Sequence, residues 1–205
     1  KTSNLRNLVQ RCTLETLSSM GVDMSVAIPS SINDVDAMWL AEATGFDIKT
    51  ADIGIIGVGV GVASAVYRAK LTGNNCPASV IVKMPALDEA AVFTSSILRM
   101  YIREVRFFKS LAKECPVITP RSYFGEINEE TSQFAMVLED LAGHRIVDQT
   151  VGISIEDARR AVDALAKIHA KWWGKADGLA ADGTTIAFSD PIYPAVLPIV
   201  FAEGW

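Results

Sequence analysis

Three glycines at alternate positions, Gly57, Gly59 and Gly61, form a segment that could bind phosphate. Glycine has no side chain, so its backbone can come close to a phosphate group while the amide N–H groups donate hydrogen bonds to it. Loops of this kind occur in dinucleotide-binding folds and in phosphotransferases. The glycines therefore indicate one of these two kinds of nucleotide site, or a glycine-rich hairpin that binds no ligand.

A lysine within an apolar segment is the second candidate. Lys83 lies in the run SVIVKM, where a charged side chain is costly to bury unless it is paired. Such a lysine could contact the α- and β-phosphates of a nucleotide, provided that a carboxylate holds it in place. Glu104 is the predicted partner, because it borders the apolar face of a predicted helix. The alternatives are an edge lysine that points to water and a solvated helix glutamate.

The third candidate is a short polar connector at the end of an apolar strand, in the run FAMVLEDLAG. The main-chain carbonyl of Glu139 and the amide of Leu141 could pair with the edge of adenine. An ordinary strand end is the alternative.

The dinucleotide interpretation fits the glycines less well. The sixth position of its glycine motif is Val62, and residues 77–79 are Pro, Ala and Ser, where a ribose-binding acid is expected. This interpretation also requires a helix over residues 63–70. It stays open as an alternative.

Hydrophobic patterns predict the elements that would position these residues. Apolar, β-branched runs around turns predict one antiparallel sheet with strands near residues 52–59, 63–71, 79–84, 122–127 and 134–139. Apolar residues at steps of three and four predict one long helix from Asp88 to Lys113. Helices are also predicted after Asn33, ending at Gly45, and after Ser154. Since the strands are segregated from most of the helices, the predicted class is α+β.

The composition excludes some classes of protein. The chain has 205 residues, of which 50% are hydrophobic and 21% are charged, with a net charge of −5. A sizeable core can form, which excludes intrinsic disorder. The mild acidity argues against nucleic acid or an anionic membrane as a partner.

The cysteines and the apolar runs indicate the compartment. Cys12, Cys76 and Cys115 are odd in number and far apart, so they predict neither a disulfide framework nor a metal site. The N-terminus lacks a signal-type apolar stretch, and the run from Ile53 to Tyr67 is too short to span a bilayer. We therefore expect a soluble, cytoplasmic protein.

Taken in order, these features resemble a known fold. The glycine-rich hairpin, strand lysine, helix glutamate, strand and connector follow one another as in the N-terminal lobe of the protein-kinase-like fold. The segments REVRFFKSLA, TPRSYFGEI, MVLEDLAG and LAKIHAKWW resemble the aminoglycoside phosphotransferase and ecdysteroid kinase-like branch of small-molecule kinases. The resemblance covers roughly Asp52 to Gly174.

The resemblance implies ATP and Mg²⁺ as cofactors and gives each candidate a role. The glycines would cover the ATP phosphates, the lysine would contact them, the glutamate would position the lysine, and the connector would face adenine. The implied cofactor-binding residues are Gly57, Gly59, Gly61, Lys83, Glu104, Glu139 and Leu141.

The resemblance also divides the chain. Residues 1–50 would be an N-terminal helical segment, residues 51–140 the nucleotide-binding N-lobe with its five-stranded sheet and one long helix, and residues 141–205 the first helices of an incomplete C-lobe. Neither His144 nor His169 begins the family's catalytic loop. The catalytic base and Mg²⁺ ligands are therefore expected outside this sequence, and His169 is expected to be a packed structural residue.

The predicted function is the ATP-binding part of a phosphotransferase that phosphorylates a hydroxyl group of a small molecule. A non-catalytic nucleotide-binding or scaffold module of the same fold is the alternative, and a dinucleotide-binding oxidoreductase fragment is the third interpretation. The expected partners are a small-molecule substrate and either the remainder of the C-lobe or a second copy of the chain.

Overall fold

A computed structural model describes residues 26–57, 63–145, 147, 151–187 and 189–203. Within them the chain forms one five-stranded antiparallel sheet in the order β1-β2-β3-β5-β4. The strands are β1 (Asp47–Ile56), β2 (Ser64–Asn74), β3 (Ser79–Pro85), β4 (Ser122–Ile127) and β5 (Phe134–Glu139). The predicted α+β class and antiparallel sheet are confirmed. The first strand begins before residue 50, inside the segment assigned to helices.

The second strand decides against the dinucleotide interpretation. Residues 64–74 are extended and pair antiparallel with both β1 and β3, whereas that interpretation requires a helix over residues 63–70. The oxidoreductase alternative is therefore wrong. Alternating β-branched and apolar residues favour the extended conformation here, because one face of each strand can be buried.

One face of the sheet packs against a short helix, α1 (Ala37–Thr44). Leu40 of this helix is fully buried and belongs to a core cluster with residues of β2, β3 and β5, among them Tyr67, Val80, Val82 and Val137. The predicted cap was wrong: the Asp36 carboxylate accepts the hydrogen bond from the Trp39 amide at 2.8 Å. Asn33 lies instead in a 3-10 turn, Ile32–Asp34, with its own capping box at Ser31. The predicted helix end at Gly45, in a left-handed conformation with φ 74°, is confirmed.

The opposite face packs against a second helical stretch. The predicted single long helix is wrong, because the chain forms α2 (Glu89–Ile97), α3 (Met100–Arg106), a π-helical turn (Phe107–Leu111) and a 3-10 turn (Ala112–Glu114). Tyr101 and Val105 of α3 pack against Phe134, Met136 and Leu138 of β5.

The helical stretch breaks at Arg99, which has a left-handed φ of 52°. The preceding run, Thr94–Ser95–Ser96, consists of weak helix formers. Contacts from a distant segment hold the break: the Tyr193 hydroxyl donates to the Leu98 carbonyl, and Asp190 pairs with Arg99.

In the described part of the chain, three helices follow the sheet: α4 (Ile155–Trp172), α5 (Ala176–Ala181) and α6 (Ile192–Glu203). Ser154 caps α4, as predicted, by accepting a hydrogen bond from the Asp157 amide at 3.1 Å. Apolar side chains on α4 are exposed, including Ile155 at 68% and Val162 at 66%. His169 is exposed as well, so its predicted packing is wrong. No helix in the described part of the chain is long and apolar enough to cross a membrane.

Candidate functional site

The centre of the candidate site is an ion pair between the sheet and a helix. The Lys83 ammonium donates a hydrogen bond to Oε1 of Glu104, which confirms the predicted pair. The two side chains are 20% and 29% exposed, so they are partly shielded from solvent. Attraction between partly buried charges is screened less than at the surface. Glu104 therefore holds the ammonium group over one face of the sheet.

Local sequence explains why these two residues meet. Val82 and Met84, on either side of Lys83, are buried against the α1 side, and strand alternation turns Lys83 to the opposite face. On α3, Tyr101 and Val105 are buried against β5. Glu104 lies beside them in the helix and reaches the strand at the border of this contact.

The sheet face around Lys83 is more open than the other face. Val66 lies opposite Lys83 in the β2–β3 register, and Arg68 lies opposite Ile81. All four residues are half-buried, whereas their neighbours Tyr67, Ala69, Val80 and Val82 are buried. These two strands thus form an accessible floor made of two apolar side chains, the Arg68 guanidinium and, near one end, the Lys83 ammonium group.

Gly57 lies at the same end of this floor. Ile56, the last residue of β1, pairs with Val66, and Val66 pairs with Lys83. Gly57 follows with φ 66°, a left-handed conformation that disfavours residues with a side chain. The segment that joins β1 to β2 therefore starts at the same end of the sheet as Lys83, two strands away from it. Gly59 and Gly61 lie outside the described residues.

The connector after β5 begins at Glu139, which is tied to the residue before β4. Its amide donates to the Arg121 carbonyl at 2.8 Å, and its carboxylate accepts from the Arg121 amide at 3.0 Å. The Leu141 carbonyl accepts a hydrogen bond from the His144 amide at 2.8 Å. The connector thus has a defined path at both residues that the sequence singled out.

The structure adds a residue that sequence reasoning missed. Asp140 accepts from Arg68 Nε at 2.7 Å and from the Ser79 hydroxyl at 2.6 Å, and its side chain is only 5% exposed. The hydrogen bond from Arg68 lowers the pKa of this carboxyl below its ordinary value, although burial opposes the change. Asp140 is therefore a buried carboxylate that binds the connector to β2 and β3. The sequence signal that could have identified Asp140 is its position between Glu139 and Leu141, the two connector residues already proposed for the site.

A pocket of about 500 Å³ opens beside the ion pair. The start of β2, α3 and the following turn line it with Ala63, Ser64, Met100, Tyr101, Arg103, Glu104, Phe107 and Phe108. The Arg103 guanidinium lies 5.6 Å from the centre of the Tyr193 ring. Because Glu104 forms part of its wall, the pocket adjoins the ion pair. Its lining is mainly apolar, so it adds no second cluster of charge.

The side chains of His144 and His169 are open to solvent, and His144 contacts the connector through its main-chain amide. Among the described residues, no group of three or more His, Cys, Asp and Glu side chains is placed to hold a metal ion. The described chemistry thus consists of the ion pair, the start of the glycine-rich turn and the connector.

Comparison with known proteins identifies the family. The model of the ecdysteroid kinase-like family matches residues 59–171, which is more than half of the chain and includes Lys83, Glu104 and the connector. No curated protein matches the chain, and no solved structure matches it. The matched family is a kinase-like family of small-molecule kinases. The chain belongs to the ecdysteroid kinase-like family.

Proposed function

We propose that this chain is the ATP-binding part of a phosphotransferase that phosphorylates a hydroxyl group of a small molecule. The observation that carries the proposal is the Lys83–Glu104 ion pair, which joins β3 to α3 at the end of the sheet where the glycine-rich segment starts. Such a lysine–glutamate pair is the arrangement that kinase-like folds use to hold ATP phosphates. The proposed fold is accordingly a kinase-like N-lobe with the first C-lobe helices.

At one end of the site, Lys83 would contact the α- and β-phosphates of ATP. Its ammonium supplies positive charge, and Glu104 keeps it from turning to solvent. The main-chain amides of Gly57, Gly59 and Gly61 would cover the phosphates from the turn between β1 and β2. The positive φ of Gly57 supports this role, because a backbone in that conformation can direct N–H groups toward an anion.

At the other end, the Glu139 carbonyl and the Leu141 amide would pair with adenine. Ser79, Ile81 and Lys83 share one face of β3, and Ser79 contacts the connector through Asp140. Lys83 lies four residue steps along the strand from Ser79, a span of about 13 Å. This is comparable with the separation between the base and the β-phosphate of an extended ATP molecule, which supports one nucleotide along β3.

The proposal assigns the remaining chemistry to residues outside this sequence. When bound, Mg²⁺ neutralises the phosphate charge, and the described residues offer no cluster to hold it. The base that accepts the hydroxyl proton is also expected elsewhere. The partner would be a small hydroxylated substrate. The proposed location is the cytoplasm, because Cys76 and Cys115 are free thiols.

Titration with ATP and Mg²⁺ tests the nucleotide site. We expect the 205-residue chain to bind ATP and to release no ADP in the presence of a panel of hydroxylated compounds. Lys83→Met should weaken ATP binding about tenfold or more, since a charge-assisted contact is lost. Lys109→Met is the matched control, because Lys109 pairs with Glu126 on the exposed surface. Equal ATP affinity in the native chain and Lys83→Met would contradict the proposal.

The same assay separates the two functions that remain. Substrate-dependent ADP release from a longer chain that contains the family's catalytic loop supports the phosphotransferase. ATP binding without turnover in that longer chain supports the non-catalytic module.

A further inference from the structure

We propose that Asp140 is a positioning residue for adenine recognition, because it fixes the connector that carries the Glu139 carbonyl and the Leu141 amide. The inference rests on the proposed function, and it adds to that function a residue and two partners, Arg68 and Ser79. None of these three side chains belongs to the phosphate end of the site.

The hydrogen bonds of Asp140 join three segments of the chain. Oδ2 accepts from Arg68 Nε at 2.7 Å and from Ser79 Oγ at 2.6 Å. Oδ1 accepts from Arg68 Nη2 at 3.2 Å and from the Ala142 amide at 3.0 Å. Each carboxylate oxygen therefore accepts two hydrogen bonds. The donors are Arg68 in β2, Ser79 in β3 and Ala142 in the connector.

The charge of Asp140 matters because the carboxylate is nearly inaccessible to water. With only 5% of its side chain exposed, the carboxylate depends on these donors in place of solvent. The Arg68 guanidinium binds both of its oxygens, an arrangement that fixes direction as well as distance. A neutral side chain at this position would lose the charge-assisted part of the bonding and leave Arg68 without its anion.

The position of Asp140 connects this bonding to the ligand site. Its backbone lies directly between the two residues whose main-chain groups are proposed to face adenine, so its restraint limits the rotation of both. The Ala142 amide, two residues on, is held by the same carboxylate. A loosened connector would present these groups in many directions. Ordering them on binding would make the free energy of adenine binding less favourable.

A positioning role can be distinguished from a general structural role by comparing a ligand that has both a base and phosphates with one that has phosphates alone. Lys83 lies about 13 Å along β3 from Ser79, and the ion pair with Glu104 does not involve Asp140. Loss of the connector's restraint should therefore weaken binding of ATP but not of inorganic triphosphate, which has no base. General destabilisation of the sheet would weaken binding of both.

The experiment measures the affinities of ATP and of inorganic triphosphate, each with Mg²⁺, by isothermal titration. Asp140→Asn should weaken ATP binding about tenfold, and Ser79→Ala about threefold, as expected for the loss of charged and neutral hydrogen bonds. The affinity for triphosphate should stay within about twofold. Asp157→Asn is the matched control, because Asp157 also binds an arginine and a serine but lies in the first turn of α4, away from the connector residues Glu139–Leu141 in sequence. It should change neither affinity.

The possible results separate this inference from the proposed function. If Asp140→Asn keeps native ATP affinity, or loses triphosphate affinity to the same extent, the inference is wrong while the ATP site stands. If the native chain binds neither ligand, the proposed function is wrong and the inference with it. Should Asp140→Asn fail to fold, Ser79→Ala decides: a selective loss of ATP affinity supports the inference, and an unchanged or unselective result overturns it.

Discussion

The Tyr193 hydroxyl donates a hydrogen bond to the Leu98 carbonyl at 3.2 Å, and this contact joins the start of α6 to the break between α2 and α3. Two neighbouring contacts reinforce it. Asp190 lies 3.6 Å from Arg99, and Arg103 lies over the Tyr193 ring. The segment that precedes Glu104 is thus held by residues about ninety positions later in the chain.

Replacement of Tyr193 should loosen this junction in steps. Tyr193→Phe removes the hydroxyl donor and should lower the free energy of unfolding by about 1 kcal/mol. Tyr193→Leu also removes the ring under Arg103, so its loss should be larger, about 2–4 kcal/mol for a buried aromatic side chain. Urea unfolding measures both variants. A Tyr193→Phe variant as stable as the native chain would argue against the contact.

The ion pair leads to a prediction about the phosphate end of the site. Glu104→Gln keeps the size of the side chain but removes the charge that holds Lys83. We expect the affinities for ATP and for inorganic triphosphate to fall together, by about tenfold. Glu126→Gln breaks an exposed pair with Lys109 and should change neither. A titration in which Glu104→Gln weakened the binding of ATP but not of inorganic triphosphate would contradict this interpretation.

Much of the fold and of the ion pair could be predicted because both depend on local patterns. Alternating apolar residues placed β2 and β3 and turned Lys83 away from Val82 and Met84. Helical spacing placed Glu104 beside Tyr101 and Phe108. Each inference used residues within a few positions of one another, where backbone geometry limits the directions of the side chains.

The features that were missed depend on residues far apart in sequence. The helix break at Arg99 is held by Tyr193 and Asp190, and the role of Asp140 requires the register that brings Arg68 and Ser79 to the same side. Helix periodicity continues across residues 97–108, so the pattern alone indicated one helix. Local propensity is a weak guide where tertiary contacts oppose it.

The pKa of Asp140 predicts how stability depends on pH. Its folded-state pKa is lowered, first by the hydrogen bond from Arg68. A lowered pKa stabilises the folded chain above the ordinary Asp pKa of about 3.9, and this contribution is lost as the pH falls through the folded-state value. The stability difference between the native chain and Asp140→Asn should therefore be full at pH 6 and smaller at pH 3. Urea unfolding at both values checks this. If the difference in unfolding free energy between the two proteins grew toward pH 3, the pKa of Asp140 would be raised in the folded chain, which would contradict this prediction.

The glycine at the end of β1 gives a matched pair of variants. Gly57 has a φ of 66°, whereas Gly54 does not have a positive φ, and a Cβ atom at either position would meet no heavy atom of the described residues within 4 Å. Steric crowding therefore does not distinguish the two, and backbone conformation does. Gly57→Ala should lower the free energy of unfolding by about 1–2 kcal/mol, since left-handed φ is strained for alanine. Gly54→Ala should be neutral or slightly stabilising, because alanine restricts the unfolded chain. Gly57→Ala should also weaken binding of inorganic triphosphate, because the turn toward the phosphate site begins at this residue. Equal unfolding free energies for the two variants would show that residue 57 does not need the left-handed conformation.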